Sequence, residues 1–470
     1  MSFTLTASKS FCSPTTERRG STGAGPGGRP APESPVFRST PVRQHTTAAL
    51  SLSNLWVLMV SAFVDMIGFA LIVPLLPLYA DRFGADPFTI GIMMGAFAFG
   101  QMVTAPQWGR LSDRFGRKPV LITSQVVSAI AFAVFAFANS VELLLICRLL
   151  QGVGAGSLGA VSAYVSDAVR PEQRTEALGW ITACTSAGVM VGPAIGSLTV
   201  RLSYAAPGLI AASFCLVNIV FTSFFLHEAK AAGPSTAQKP KTAVRQQILA
   251  VLRQPTATVH GLIWIYTAGM MAFMALTGIM ALYLNDQFGI TEDNIGWFYV
   301  GVGFISVIMR GLILGRMVRA FGEVRVLRAG ALCLGVGLLG MTFTSTPLQF
   351  AVMMLFVPTG TALLFPSTTS LVTRYADPDH VGQTVGVQQA FGSISRLLAP
   401  MWAGAAYQYL GPHRPFWIAG VLVLATAALS LRLRPGEAPQ RGDGPSAEPE
   451  NAETELAAAA GETPRERKPR

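Results

Sequence analysis

Apolar residues in this chain come in long runs rather than in an alternating or one-faced pattern. Twelve such runs are legible, at about residues 54–79, 88–108, 119–139, 141–166, 176–200, 206–226, 259–284, 295–314, 324–345, 347–373, 382–409 and 414–432. Each is close to the roughly 20 residues that an α-helix needs to cross hydrocarbon. None shows the roughly ten-residue alternation of a membrane barrel strand. The prediction is an all-α integral membrane protein with twelve transmembrane helices in two six-helix bundles. The longest connection, 227–258, divides the runs six and six, and it is basic, with Lys230, Lys239, Lys241, Arg245 and Arg253. The predicted organisation is a disordered cytoplasmic N-terminal extension (1–51), a first bundle (52–226), a cytoplasmic central loop (227–258), a second bundle (259–434) and a disordered cytoplasmic tail (435–470).

The extension is rich in Ser, Thr, Pro, Gly and Arg, and the tail in Pro, Glu, Ala, Gly and Arg, compositions that do not build a core. No apolar stretch of the secretory type precedes the first run. The shortage of acids before it weakly resembles an organelle transit peptide, but a cytoplasmic extension is the expectation.

Composition agrees with the membrane class. Hydrophobic residues make up 51% of the 470 and charged residues 13%, against roughly 25% charged in a soluble protein. In a soluble chain a net charge of +10 would point to nucleic acid. Here the cations cluster in short loops, so nucleic acid is not an expected partner. Arg110, Arg114, Arg117, Lys118, Arg170, Arg174, Arg316, Arg319, Arg325 and Arg328 fall on one predicted face with the central loop. The opposite face has Arg82, Arg201 and Arg414 beside Asp81, Asp86, Glu142, Asp286, Glu292 and Asp293. The positive-inside rule makes the basic face cytoplasmic, with both termini on it, in a plasma (inner) membrane. The chain has no GxxxxGK[ST] run to power a primary pump, and its five cysteines and five histidines show no metal-ligand or catalytic spacing. No enzyme activity, metal or cofactor is expected.

The second half repeats the first. Gly109-Arg110-Leu111, Phe115-Gly116 and Val120-Leu121 recur 206 residues later as Gly315-Arg316-Met317, Phe321-Gly322 and Val326-Leu327, and Pro193 is echoed by Pro400. Parallel repeats of this kind are a common plan of secondary transporters.

Four motifs, in order, carry a family resemblance. Gly109 to Leu121 resembles the loop signature G-x-L-x-D-R-x-G-R-K-P. Arg148, Gln151, Gly152 and Gly154 resemble R-x-x-Q-G-x-G in the fourth helix. Gly188, Gly192, Pro193 and Gly196 resemble the antiporter signature G-x-x-x-G-P-x-x-G in the fifth. Asp65, Gly68, Pro74 and Pro77 resemble the first-helix signature of twelve-helix exporters. Over residues 54–432 the chain is therefore similar to the drug:proton antiporters of the major facilitator superfamily, including the tetracycline and multidrug efflux transporters. The resemblance implies alternating access around a central site, a small-molecule substrate, protons as the coupling ion, and a monomer in the bilayer.

Chemistry sharpens some of these residues. Asp65 lies about eleven residues into the first run, near the bilayer midplane, where an ionised carboxylate is costly and a proton-carrying role is natural. A permanent pairing with a buried cation is the structural alternative. Arg148 cannot discharge and needs acceptors. It is a candidate partner for Asp65, with Gln151 one turn on, or else a packing residue. Gly188, Gly192 and Gly196 recur every four residues, which allows close helix approach. The resemblance implies that this face, with Pro193, packs against the opposite half.

The resemblance also implies a cytoplasmic gate built from Gly109, Asp113, Arg114, Gly116, Arg117 and Asp167. In it Asp113 would face the start of the eleventh helix. Topology alone accounts for the basic members of this set, but not for Asp113. In the second half Arg310, Gln388, Gln389 and Arg396 are expected to face a cavity, where the cations suit an anionic group or serve packing. Tyr266, Met270 and Phe273 share a helix face that suits either a permissive apolar site or lipid. The tetracycline exporters carry acids in helices 3 and 9, and here 119–139 and 324–345 contain none, which disfavours tetracycline as the substrate. Uniport or symport of a metabolite, or a non-transporting sensor on the same fold, is the alternative.

Overall fold

The computed structural model describes residues 55–155, 159, 161, 164, 165, 169, 173–226, 241–255, 257–377 and 380–432, all within one unit of the chain, Ala49–Arg470. The described residues form twelve long helices and one short one. The first half holds α1 (Leu55–Arg82), α2 (Pro87–Phe115), α3 (Arg117–Ala136), α4 (Val141–Ala155), α5 (Arg174–Val200) and α6 (Ala206–Phe225). A short α7 (Lys241–Arg253) follows. The second half holds α8 (Thr258–Phe288), α9 (Glu292–Phe321), α10 (Glu323–Met341), α11 (Pro347–Tyr375), α12 (Val381–Leu410) and α13 (Arg414–Ala427). Helix αN of the first half corresponds to α(N+7) of the second.

Ten of these helices are long and apolar enough to span a bilayer. The other two predicted runs differ for separate reasons. α4 is described over only 15 residues. α12 is 30 residues long, but it carries Gln383, Gln388, Gln389, Arg396 and Gln408.

Local chemistry sets the helix boundaries. Pro74 interrupts α1 between Ile72 and Leu75, because it lacks the N–H that the next turn would use. Asp86 caps α2, its carboxylate accepting the Thr89 N–H at 2.9 Å, with Pro87 at the first helical position. Thr346 caps α11 in the same way, accepting the Gln349 N–H at 3.3 Å. The repeat is visible in the backbone. Gly116 (φ 97°) and Gly322 (φ 79°) each end one helix and start the next in a conformation open to glycine. The central connection contains α7, where the sequence suggested only a loop. Its Val251 is buried, and the Trp264 indole N–H donates to the Val251 carbonyl at 3.1 Å, seating α7 on the second half.

The buried core shows how the halves meet. At the face opposite the basic loops one cluster crosses both halves, joining Leu75, Ile90 and Met93 to Ile279, Ala399 and Ala403. Towards the basic face each half keeps a cluster of its own. Leu58, Trp108, Val120 and Ile181 form one in the first half, and Met309, Val326, Ala362 and Leu363 form another in the second. The halves are thus fused at the far face and separate at the basic face.

Candidate functional site

Two helix pairs carry most of the contact between the halves, α2 with α12 and α5 with α9, and α8 also touches the end of α1 and α2. Both pairs rely on glycines at the far face. A Cβ on Gly95 would lie 2.6 Å from the Leu397 carbonyl oxygen, and Gly91 sits under the Pro400 carbonyl. On the other pair, Gly296 meets the Pro193 carbonyl and Gly303 meets Met190. Polar contacts seal the same end. Ser197 Oγ donates to the Glu292 carbonyl at 2.6 Å and accepts the Gly296 N–H at 2.8 Å. Arg82 Nε pairs with the buried Glu292 carboxylate at 2.9 Å while its guanidinium lies 4.3 Å from the Tyr204 ring centre.

The same helix faces open further along. Stepping by sevens keeps nearly the same face of a helix. From Gly95 the steps reach Met102 and Gly109, from Pro193 Ser186 and Gly179, from Gly296 Gly303 and Arg310, and from Pro400 Ser393 and Gly386. Met102 and Arg310 are exposed, and a Cβ on Gly109, Gly179 or Gly386 would meet nothing within 4 Å. The four stripes diverge into a cavity open at the basic face.

Asp65 sits on the side of α1 that faces α3 and α6. Asn218 Nδ2 donates to Asp65 Oδ1 at 2.7 Å and to the Ser61 carbonyl at 3.1 Å. Gln125 Nε2 approaches Asp65 Oδ2 at 3.5 Å and Ser61 Oγ at 3.3 Å. Asn218 and Gln125 are themselves buried. Neither was singled out from sequence, although an amide deep in an apolar run is the signal that would have found them.

The expected partnership of Asp65 with Arg148 is not formed. Arg148 is fully buried, its Nη1 donating to Gln151 Oε1 at 3.0 Å and its Nη2 lying 3.4 Å from Met94 Sδ. Two aromatic rings lie between α1 and Arg148. Phe69 of α1 packs 4.8 Å from Phe97 of α2, and Phe97 in turn lies 5.9 Å from the guanidinium. The two charges are linked through packing and not by an ion pair.

The fifth-helix motif also differs from expectation. Gly188, Gly192 and Gly196 pack on α1 of their own half, against Phe63, Ile67 and Leu71, with a Cβ on Gly188 only 2.6 Å from the Phe63 carbonyl oxygen. Pro193 and Met190 lie on the adjoining stripe, and these reach α9. A glycine repeat of four and a proline one step off it point to different neighbours, because one residue turns a helix by about 100°.

At the basic face, Asp113 is exposed and bonds Arg117 Nη1 at 2.7 Å. Arg117 is buried and also donates to Ser112 Oγ at 3.0 Å. Asp113 does not contact the start of α12, because the halves are parted there. Gly109 and Arg114 lie exposed or nearly so, with Gly116 at the helix joint. Asp167 lies outside the described residues.

In the second half, Tyr266 and Met270 are buried, and Tyr266 meets Phe365 edge-on at 5.4 Å, as Phe273 does at 6.4 Å. The aromatic stripe therefore faces protein and not lipid. Gln388 is buried and donates to Thr369 Oγ1 at 3.3 Å. Gln389, Ser393 and Arg396 line the cavity face of α12, and Arg396 Nη2 donates to Ser393 Oγ at 3.0 Å. Arg310 lies in a π-helical turn, Met309–Ile313, a distortion frequent at functional sites and not legible in the sequence.

A helical bundle with an internal repeat, its halves in contact at one face and parted at the other, has the plan of a membrane transporter. The family model of the Major Facilitator Superfamily matches residues 58–309 and 262–464, and the chain belongs to that superfamily. It is 26% identical to Multidrug resistance protein 2 of Bacillus subtilis over 83% of this chain and 95% of that protein. It is also 26% identical to the class B tetracycline resistance protein of Escherichia coli over 78% of this chain and 91% of that protein. Among solved structures, the human organic anion transporter MFSD10 superposes with a TM-score of 0.61 at 22% identity, covering 80% of this chain and 98% of that one. That likeness establishes the fold.

Proposed function

We propose that this protein is a proton-coupled antiporter that exports amphipathic small molecules by alternating access. The observation that carries the reading is the position of Asp65. It is the one carboxylate among the described residues that lies deep within a crossing helix, and two amides from α3 and α6 hold it. The relatives' names favour efflux, from multidrug resistance to tetracycline resistance.

In this reading the basic face is cytoplasmic and the cavity loads from the cytoplasm. Protonation of Asp65 removes the negative charge that the Asn218 and Gln125 amides bind, and so alters the seating of α1 on α3 and α6. α1 also carries the Gly188, Gly192 and Gly196 face of α5, whose other stripe closes on α9. Through the Phe69–Phe97 contact it touches α2, which closes on α12 and covers Arg148 and Gln151. A change at Asp65 thus reaches both seams through a single helix. The protein works as a monomer in the plasma (inner) membrane with both termini cytoplasmic. The Asp113–Arg117 pair closes towards the second half when the cytoplasmic side shuts.

The test is uptake of dye into inside-out vesicles energised by a proton gradient. Asp65→Asn abolishes gradient-driven uptake but leaves substrate exchange at equal pH on both sides. Full gradient-driven uptake by Asp65→Asn refutes the carrier role.

A further inference from the structure

We infer that the cavity binds organic anions, with Arg396 as the seat of the anionic group and Arg310 as a second cation nearer the cavity mouth. The inference rests on the transporter reading above and adds the charge class of its substrate.

It comes from a charge inventory of the cavity wall. On α12, Gln389, Ser393 and Arg396 continue the stripe that closes at Pro400, so they line the cavity just below the seam. Arg396 donates from Nη2 to Ser393, whereas its Nε is buried and has no acceptor among the described residues. No carboxylate pairs with it: the described ion pairs are Arg82–Glu292, Arg117–Asp113 and His380–Asp377, all towards helix ends or in loops. Arg310 continues the Gly296–Gly303 stripe of α9 and has neither an ion pair nor a hydrogen bond among the described residues. Asp65 cannot compensate either charge, since it faces α3 and α6.

Arginine does not discharge at working pH, so these charges need a counter-charge or water. A cavity lined by one sign of charge, with low-dielectric walls, concentrates ligands of the opposite sign. The guanidinium fork suits a carboxylate or sulfonate. Its surroundings define the rest of the ligand. Tyr266 packs over α12 at Gly392, one turn before Arg396, where a Cβ would lie 3.4 Å from the Tyr266 hydroxyl oxygen. Phe365 and Phe273 extend an apolar wall from Tyr266. A flat aromatic body with an acidic group fits this combination. At 1.5 Å per residue, Arg396 lies ~22 Å from the basic-face end of its helix and Arg310 ~16 Å from the corresponding end of α9, so an incoming anion meets Arg310 first.

The experiment is fluorescence anisotropy on the purified, detergent-solubilised full chain, with fluorescein as the anionic probe and ethidium as the cationic one. Binding needs no gradient, so the result is independent of proton coupling. Wild type binds fluorescein more tightly than ethidium. Arg396→Gln weakens fluorescein binding roughly 10–100-fold, the range for a lost charge-assisted hydrogen bond. Arg396→Lys restores part of it, and the more exposed Arg310→Gln costs roughly 2–5-fold. Arg310→Gln and Arg396→Lys serve as the readout if Arg396→Gln is not monodisperse. Ethidium binding equal to or tighter than fluorescein in wild type, no fluorescein binding, or unchanged fluorescein binding in all three arginine variants overturns the assignment.

Discussion

Gly95 and Gly100 lie five residues apart on α2 and make a matched test of alternating access. A Cβ on Gly95 would lie 2.6 Å from the Leu397 carbonyl oxygen of α12, and one on Gly100 would lie 2.6 Å from the Leu149 carbonyl oxygen of α4. Each neighbour would have to recede to reach 3.0 Å, below which real Cβ contacts essentially never fall. Overpacking of this kind costs about 1–3 kcal/mol. The gain in helix propensity on replacing glycine by alanine is common to both sites and cancels.

The sites differ in how the clash is relieved. The Gly95 contact crosses between the halves, so rocking the halves apart at the far face removes it. The Gly100 contact lies within one half, and rocking leaves it in place. Gly95→Ala therefore shifts the conformational equilibrium about 5–150-fold towards opening at the far face. Gly100→Ala instead lowers thermal stability and leaves that equilibrium near wild type. Spin labels at the exposed Leu202 and Tyr409, one from each half, report the separation of the far face. Gly95→Ala lengthens the distance between these labels and Gly100→Ala does not. An unchanged distance in Gly95→Ala, with a stability loss equal to that of Gly100→Ala, refutes the seam as the moving contact.

Two further outcomes follow from the hydrogen bonds. Asn218→Leu removes a 2.7 Å bond to a carboxylate and Gln125→Leu one of 3.5 Å. The Asn218 variant loses about 1.5–3 kcal/mol of stability, more than the Gln125 variant. In a thermal double-mutant cycle this loss shrinks sharply on the Asp65→Asn background; equal losses on both backgrounds count against the clamp. Outside the membrane, hydrogen bonds from the Thr89 hydroxyl and N–H hold the Asp86 carboxyl below the usual carboxylate range. Because the folded value is depressed, the cap contributes above the unfolded carboxylate pKa and is lost as pH falls through the folded one. Asp86→Ala is less stable than wild type by about 0.5–2 kcal/mol at neutral pH. The melting-temperature gap closes in acid, and a gap independent of pH contradicts the capping role.

The sequence by itself determined the class, the segments and the repeat. Spanning hydrocarbon demands long apolar helices, an internal duplication leaves matching turns, and membrane insertion separates charge between the two faces. Those constraints act locally along the chain, so Pro74, Gly116, Gly322 and most helix limits could be read from it. It also marked Asp65, Arg148, Arg396 and the fifth-helix glycines as exceptional, because charge and tight packing at depth are costly wherever they occur. The tertiary structure alone decided what each of them faces. A helix presents neighbouring stripes to different partners, and a single step of about 100° moved the glycines to α1 while Pro193 reached α9. The same rotation turned Asp65 towards the amides of α3 and α6 and away from Arg148, and left Arg310 and Arg396 without a carboxylate partner among the described residues. Which side of the seam is closed depends on contacts between residues up to 320 positions apart, such as the Phe88 N–H donating to Gln408 Oε1. No local pattern in the sequence encodes contacts at that separation.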